Sequence, residues 1–183
     1  PYALSRVSAD IHMKLMNKYK KFPIIFTRAA NVYGPHQQLY RIVPKTIMLL
    51  IKNKRVPIDG NGLSFRSFIH INDVNAALYK ILLKGKIGET YHISTKDYIS
   101  IIDLVKKIIK IKKNTKNFNK YIFYKKDRIG KDEFYKLSSN KIIKKLKWKP
   151  AITIDDGIID VDGWIQKKIK SLIKNKLTYK HRK

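Results

Sequence analysis

Apolar side chains recur at helical spacing in several stretches of the chain. In residues 2–20, intervals of three and four positions place one apolar row along an α-helix: Leu4, Val7, Ile11 and Leu15. Similar patterns and helix-start residues predict helices over residues 43–54, 74–83, 100–112 and 153–172. A shorter helix is predicted to begin at Ser138 or Ser139 and to end before Trp148.

Short apolar runs rich in β-branched and aromatic residues alternate with these helices. They predict strands over residues 23–28, 65–71, 89–94 and 121–124. Turn-forming and polar residues predict a loop over residues 29–38, turns over residues 57–62 and a linker over residues 114–120. Because strands alternate with helices, the sequence predicts an α/β fold.

The charge balance is strongly basic. The 183 residues include 41 lysines and arginines against 13 acidic residues, which gives a formal net charge of +28. This excess raises the hypothesis of a nucleic-acid-binding module. Arginine, the usual base-reading residue, is nevertheless scarce, with seven arginines against 34 scattered lysines. Since no zinc spacing, helix-turn-helix or RNA-binding aromatic pattern is evident, we interpret the lysines as solvated surface charge and disfavour nucleic acid as a partner.

Composition also narrows the class of protein. Hydrophobic residues make up 44% of the chain, enough for a packed core. Cysteine is absent, which excludes disulfides and thiolate chemistry and favours a reducing compartment. No apolar run approaches the roughly 18 residues of a membrane span, and no signal-peptide pattern is recognised. We therefore expect a cytoplasmic protein without a membrane partner.

The first candidate for chemistry is the pair Tyr2 and Arg6. On a helix these positions lie one turn apart on the same face. A neighbouring cation lowers the pKa of a phenol from its ordinary value of about 10, which lets it exchange a proton with a substrate hydroxyl near neutral pH. The alternative is a tyrosine on the helix flank beside a solvated arginine.

The second candidate is the segment from Arg28 to Pro35, RAANVYGP. It leaves the carboxyl end of a predicted strand, where open α/β sheets bind ligands. Asn31 can donate an amide hydrogen bond there, and Gly34 with Pro35 bends the chain. Alone, the segment is an ordinary turn.

The order in which these two segments and several later ones follow each other is more informative than either segment alone. Downstream follow RIVP from Arg41, PIDGNG from Pro57, RSFIHIND from Arg66, GETYHI from Gly88, DRIGKD from Asp127 and LKWKP from Leu146. Over about residues 1–165 this series resembles the second half of the extended short-chain dehydrogenase/reductases that act on nucleotide sugars, the NAD-dependent epimerase/dehydratase family. Within that family it most resembles the 4,6-dehydratases of the dTDP-glucose type.

The resemblance implies the carboxyl-terminal part of a Rossmann-like doubly wound parallel sheet, a small mixed α/β substrate domain, NAD as cofactor and a nucleoside-diphosphate sugar as substrate. It assigns catalysis to Tyr2, with Arg6 in place of the family's lysine. The implied cofactor contacts are Tyr2, Arg6, Ala29 and Asn31. The implied substrate contacts are Asn31, Arg41, Pro57, Asp59, Arg66, Arg128 and Lys131.

Other polar residues are assigned structural roles. No metal-ligand spacing joins His70 and His92, which we expect to pack or cap locally, and we expect no metal. Asp73 is expected to cap its own helix.

The resemblance also implies a division of the chain. Residues 1–38 would end the NAD-binding domain, and residues 39–173 would form mainly the nucleotide-sugar-binding domain. A strand and helix near residues 65–95 would return to the Rossmann part, and residues 174–183 would be a frayed basic tail. The Gly-rich loop that cradles the cofactor pyrophosphate is not found. We therefore expect a carboxyl-terminal fragment that is inactive alone.

The implied reaction is dehydration of a nucleotide sugar. Tyr2 would take the C4 hydroxyl proton during transient oxidation at C4, and water would then be lost across C5 and C6. The nearest alternative is a nucleotide-sugar 4-epimerase of the UDP-glucose type, which shares the fold and the tyrosine. Family members commonly form homodimers through the tyrosine helix, so a homodimer of the full-length protein is expected.

Overall fold

Helices alternate with short strands along the chain in a computed structural model of the protein. The structure describes residues 2–127, 130 and 133–179. None of the helices in these ranges is long and apolar enough to span a membrane. In chain order the elements are α1 (Tyr2–Lys20), β1 (Phe26–Ala29), β2 (Asn31–Tyr33), α2 (Ile42–Ile51), β3 (Val56–Asp59), β4 (Phe65–Arg66), β5 (Phe68–His70), α3 (Ile71–Lys84), β6 (Thr90–Ile93), β7 (Ile99–Ser100), α4 (Ile101–Lys113), β8 (Ile122–Lys125), β9 (Phe134–Tyr135), α5 (Asn140–Leu146), α6 (Ile154–Lys167) and α7 (Ile169–Leu172).

The strands pair mostly in parallel. β1 pairs with β6, β2 with β5 and β3 with β8, each in parallel register. β4 lies between β7, which is antiparallel to it, and β9, which is parallel. Parallel neighbours need long crossover connections, and the intervening helices supply them. The architecture is mixed α/β, as predicted.

Two clusters of buried apolar side chains hold these elements together. Full burial of one such side chain stabilises the fold by about 1.5–3 kcal/mol. The larger cluster lies where α2, α4 and α6 pack on one another, and includes Ile47, Leu104, Ile108, Val161 and Ile165. The smaller cluster gathers side chains of β5, α3, β6 and α5 around Ala30, and includes Ile69, Ala77, Tyr91, Ile93, Ile142 and Trp148.

α1 differs from the other long helices because its apolar row is exposed. The exposed fractions are 71% for Leu4, 53% for Val7, 53% for Ile11 and 49% for Leu15. The helix forms as predicted, and two polar contacts link it to the residues that follow. Asp10 forms an ion pair with Arg28, and Asn17 Nδ2 donates to the Phe22 carbonyl oxygen at 2.8 Å.

Several predicted boundaries of loops, turns and strands are wrong. The loop predicted over residues 29–38 contains β2, and the turns predicted over residues 57–62 begin inside β3. Pro57 is tolerated in β3 because a strand of a two-stranded sheet has a free edge. The single strand predicted over residues 65–71 is interrupted at Ser67, which separates β4 from β5.

Ser67, which separates β4 from β5, joins a buried hydrogen-bond network through its hydroxyl. Ser94 Oγ donates to Ser67 Oγ at 3.0 Å, and Ser67 Oγ lies 2.8 Å from Thr95 Oγ1. Ser139 continues the network by accepting from the Ser94 N–H at 2.8 Å. These contacts come from distant parts of the sequence, so local patterns do not reveal them.

Two helices have their N-caps at the predicted start residues 100 and 153, and the predicted cap Asp73 is wrong. Ser100 accepts from the Asp103 N–H at 3.1 Å, and Thr153 accepts from the Asp156 N–H at 3.2 Å. Asp73, in contrast, does not cap α3. The N-cap of that helix is His70, whose Nδ1 accepts from the Asn72 N–H at 3.4 Å.

The end of the described chain differs from the prediction at one point. The helix predicted over residues 153–172 is divided at Lys168 into α6 and α7. Residues 174–179, expected to fray, are exposed apart from one side chain. Leu177 is half-buried against the larger cluster, and Lys52 Nζ donates to the Asn175 carbonyl oxygen at 3.5 Å.

Candidate functional site

A cavity of about 990 Å³ lies beside the loop that follows β2. This volume is at the upper end of the range for small-molecule sites. Five of the predicted site residues line it together, although they are spread over three strands and a helix start: Asn31, Arg41, Pro57, Asp59 and Arg66.

Positive charge dominates the cavity wall. Arg41 is the N-cap of α2, and its side chain makes no capping hydrogen bond. Arg66 is oriented by the backbone, since its Nη1 donates to the Phe65 carbonyl oxygen at 2.8 Å. Lys45 and Lys125 also line the cavity, where sequence analysis did not place them, and Asp59 is the acidic residue of the described lining. Such a wall suits an anionic ligand that can accept several charged hydrogen bonds.

Two amide side chains in the lining have a buried atom without a hydrogen-bond partner. Asn31 Nδ2 and Gln37 Oε1 are both in this state among the described residues. Gln37 is held by its other amide atom, because Nε2 donates to the Val32 carbonyl oxygen at 2.7 Å. An unpaired buried polar atom is costly, so these two atoms fit a site that a polar ligand completes.

A recess of about 170 Å³ extends the cavity between α2, β3 and β4. It shares Pro57, Asp59 and Arg66 with the main cavity and is also lined by Ser64. Ser64 is 5% exposed, and its Oγ has no hydrogen-bond partner among the described residues. Sequence analysis missed Ser64 because a serine between a turn and a strand has no sequence pattern that marks it as a binding residue.

Tyr33 is a buried phenol in the cavity wall. Its hydroxyl donates to the Thr153 carbonyl oxygen at 3.4 Å, and its ring meets the His70 ring edge-on at 5.4 Å between centroids. Burial raises the pKa of Tyr33 far above its ordinary value of 10.0, and the nearby carboxylates raise it further: Asp73, Asp155, Asp156 and Asp160. Tyr33 is therefore neutral at physiological pH and acts as a packing residue.

Two other predicted site residues, Arg6 and Ala29, are absent from the described lining of this cavity. Arg6 is exposed on α1, and Ala29 is exposed at the end of β1, where it pairs with Ile93. The cavity lining begins at Ala30. The side chain of Tyr2, and the whole of Arg128 and Lys131, lie outside the described residues.

The described residues contain no cluster of three or more histidine or acidic side chains that could hold a metal ion.

Comparison with known proteins places this site in a family. A family model described as GDP-mannose 4,6 dehydratase matches residues 1–161. The dTDP-D-glucose 4,6-dehydratase of Mus musculus is 36% identical over 170 residues, which are 91% of this chain and 48% of that protein. The dTDP-glucose 4,6-dehydratase of Shigella flexneri is 32% identical over 168 residues, 90% of this chain and 46% of that protein. The chain thus spans about half the length of the curated relatives it matches.

Solved structures agree with this placement. The crystal structure of dTDP-glucose 4,6-dehydratase from Bacillus anthracis, in complex with NAD, is 30% identical with a TM-score of 0.85 and covers 93% of this chain and 53% of that one. The UDP-glucose 4-epimerase of Thermotoga maritima has the same TM-score, 0.85, at 24% identity over 92% of this chain and 54% of that one, and shows a shared fold. From the match over residues 1–161 and these structural neighbours, we conclude that the chain belongs to the GDP-mannose 4,6 dehydratase family, within the Rossmann-fold extended short-chain dehydrogenase/reductases.

Proposed function

We propose that this chain forms the nucleotide-sugar-binding part, with the tyrosine helix, of an NAD-dependent 4,6-dehydratase of the dTDP-glucose type. The observation that carries the proposal is the cavity, which gathers Asn31, Arg41 and Arg66 from separate elements in a positively charged wall. The curated relatives with 36% identity bear the dehydratase name, which favours this activity over epimerisation.

The substrate roles follow from the chemistry of the wall. Arg66 and Arg41, with Lys45 and Lys125 nearby, are suited to a diphosphate, because guanidinium and ammonium groups donate strong hydrogen bonds to its oxygens. Pro57 and Asp59 belong to the recess and would face the nucleotide base. Arg128 and Lys131 are assigned to the diphosphate by the same proposal.

The described residues fit a cofactor in part. The buried Asn31 Nδ2 is a donor that an oxygen of a bound group would satisfy. Tyr2, Arg6 and Ala29 are the other residues assigned to the cofactor. When bound, NAD supplies a reversible hydride acceptor.

Tyr2 carries the proton chemistry that we assign to this chain. It takes the proton of the C4 hydroxyl, and the positive charge of Arg6 one helical turn away favours the phenolate. Arginine keeps the charge of the family's lysine but is bulkier and planar. No residue of this chain is assigned to the loss of water across C5 and C6, so the chain alone is not expected to turn over.

A chimera tests the reaction. The amino-terminal half of the Bacillus anthracis enzyme, joined to this chain at Pro1, should bind NAD and convert dTDP-glucose to a 4-keto-6-deoxy product. Tyr2→Phe should lower the rate about 10²- to 10⁴-fold, whereas Arg6→Lys should keep or raise it. A galactose epimer as product would reject dehydration, and an unaffected Tyr2→Phe chimera would remove Tyr2 from the mechanism.

The proposal includes a homodimer and a cytoplasmic location. The exposed apolar row of α1 favours association, because Leu4, Val7 and Ile11 are each more than half exposed. The cysteine-free sequence suits a reducing compartment. Light scattering on the chimera should give the mass of a dimer, and Ile11→Lys should shift it toward the monomer.

A further inference from the structure

The loop that follows β2 is held in one conformation on the cavity wall. The Gln37 N–H donates to the Gly34 carbonyl oxygen at 3.4 Å and closes a turn. His36, within that turn, has a left-handed backbone with φ +66°, and the centroid of its ring lies 5.1 Å from that of Trp164. A left-handed backbone is uncommon for residues other than glycine and persists where surrounding contacts hold it, as in ligand-binding loops. Gln37 therefore joins the cavity lining from a fixed backbone.

The side chain of Gln37 is fixed as well, and its amide has one possible orientation. Nε2 donates to the Val32 carbonyl oxygen at 2.7 Å. Because a carbonyl oxygen only accepts hydrogen bonds, the NH₂ group of the amide must face Val32, and the other amide atom, Oε1, is an acceptor directed elsewhere. Oε1 is buried and has no hydrogen-bond partner among the described residues. The loop thus holds one oriented acceptor that the folded chain leaves unsatisfied.

The chemistry of this acceptor restricts the group that can complete it. An ionised diphosphate oxygen is itself an acceptor, so it cannot form a hydrogen bond with Gln37 Oε1. Cations of the lining, such as Arg41 and Lys125, are the groups that suit the diphosphate. Oε1 requires an O–H or N–H donor. In a nucleotide sugar these donors are the sugar hydroxyls and the N–H groups of the base, all of them uncharged.

Asn31 supplies the complementary hydrogen-bonding group. It directly precedes Val32, whose carbonyl oxygen holds the Gln37 amide, and it lines the same cavity. Its Nδ2 is a buried donor that lacks a partner in the described part of the chain. One donor and one acceptor tied to the same stretch of wall suit a hydroxyl, or the N–H and neighbouring carbonyl of a base, because each of these both donates and accepts.

We propose that Gln37 is a specificity-determining residue whose Oε1 accepts a hydrogen bond from an uncharged O–H or N–H group of the nucleotide sugar. The inference rests on the proposed function and adds to it a residue that recognises the nucleoside or the hexose but not the diphosphate. Gln37 acts as a binding residue and takes no part in proton transfer.

An NMR titration of the 183-residue chain with pyrophosphate, dTDP and dTDP-glucose tests the proposal. Pyrophosphate offers only the anion, dTDP adds the base and one sugar hydroxyl, and dTDP-glucose adds the hexose hydroxyls. In Gln37→Met the dissociation constant for dTDP-glucose should rise about three- to tenfold, while that for pyrophosphate stays within twofold. A loss that is already present with dTDP assigns the donor to the nucleoside. A loss seen only with dTDP-glucose assigns it to the hexose.

Two further variants separate ligand binding from a structural role. Gln37→Lys can still donate to the Val32 carbonyl oxygen but has no acceptor, so it should lose the preference for dTDP-glucose over pyrophosphate as Gln37→Met does. The matched control is Gln166→Met, at an exposed glutamine on α6 outside the described lining, which should leave all three constants unchanged.

The outcomes distinguish this inference from the proposed function. If Gln37→Lys keeps the preference, if Gln37→Met binds dTDP-glucose normally, or if all three ligands lose affinity equally, the role of Gln37 alone is overturned. Failure of the unmodified chain to bind dTDP and dTDP-glucose would overturn the proposed function, and the inference with it.

Discussion

Asp73 lies in the helix turn that the sequence predicts, but its carboxylate binds a different part of the chain from the one predicted. It is 5% exposed, and its two carboxylate oxygens accept from the backbone N–H groups of Ala151 and Ile152, both at 3.0 Å. The sequence pattern places it in the first turn of α3, where it would cap the helix. The structure instead uses it to hold the segment that leads into α6.

We expect Asp73→Ala to lower the free energy of unfolding by about 2–4 kcal/mol, because two charged hydrogen bonds are lost and two N–H groups are left unpaired. Urea unfolding measures the change. The control is Asp97→Ala, at an exposed carboxylate, which should change stability by less than about 0.5 kcal/mol. Equal losses for the two variants would show that Asp73 does not hold the segment.

Glu89 makes the stability of the folded protein depend on pH. Hydrogen bonds from Lys145 and Tyr91, and then from Lys141, lower its pKa from 4.5 to about 2. Because the folded pKa lies below the unfolded one, the stabilisation is present above about pH 4.5 and is lost as the pH falls from there toward 2.

Glu89→Gln should therefore destabilise the protein at pH 6 and lose this disadvantage progressively between about pH 4.5 and 2. Urea unfolding of both proteins at several pH values gives the difference in stability directly. A difference that stays constant over this range would contradict the assigned contacts.

At the scale of elements, local patterns predict helices well and short strands poorly. α1 and α4 begin and end close to the predicted residues because their apolar spacing and caps are local properties. β7 and β9 are two-residue strands that exist only through pairing with β4, so nothing in their own sequences predicts them. The interruption at Ser67 also depends on distant segments, because β4 pairs with β7 and β9 whereas β5 pairs with β2.

Two glycines in α6 provide a matched test of helix packing. A side chain at Gly157 would collide with the Tyr33 hydroxyl, whereas nothing lies within 4 Å of the position that a Cβ would take at Gly163. Alanine is favoured over glycine in a helix by about 1 kcal/mol. Overpacking against a buried neighbour costs about 1–3 kcal/mol.

Gly163→Ala should therefore raise the free energy of unfolding by up to about 1 kcal/mol, and Gly157→Ala should lower it or leave no gain. Thermal and urea unfolding of the two variants measure this. Equal stabilisation by both substitutions would mean that Tyr33 does not pack against α6.

At the scale of the whole molecule, the lysine excess has more than one use. Lys107 pairs with Asp155 at 2.9 Å and Lys112 with Asp162 at 2.8 Å, so these lysines join α4 to α6. Others line the cavity. The interpretation as solvated charge is thus incomplete, although the more exposed of the two pairs, Lys107 with Asp155, contributes at most about 1 kcal/mol.

Those residues of the candidate site that belong to recognisable sequence motifs could be predicted from the sequence. Asn31, Arg41 and Arg66 belong to such motifs, and the fold brings them to one cavity. Ser64 and Tyr179 lie outside recognisable motifs and become site residues only because tertiary packing places them there. Residue types with ordinary surface or turn chemistry give no signal before the chain is folded.

The proposed function requires that the cavity of this chain bind a nucleoside diphosphate. The most direct measurement is an NMR titration of the 183-residue chain with dTDP at physiological salt, with duplex DNA as a comparison ligand. We predict saturable 1:1 binding with amide shifts concentrated in residues 31–45 and 57–66, and a loss of about tenfold or more in Arg66→Ala. Arg55→Ala, at an exposed arginine outside the cavity lining, should bind normally. Shifts scattered over lysine-rich surfaces, or dTDP binding that Arg66→Ala leaves unchanged while DNA binds more tightly, would contradict the account.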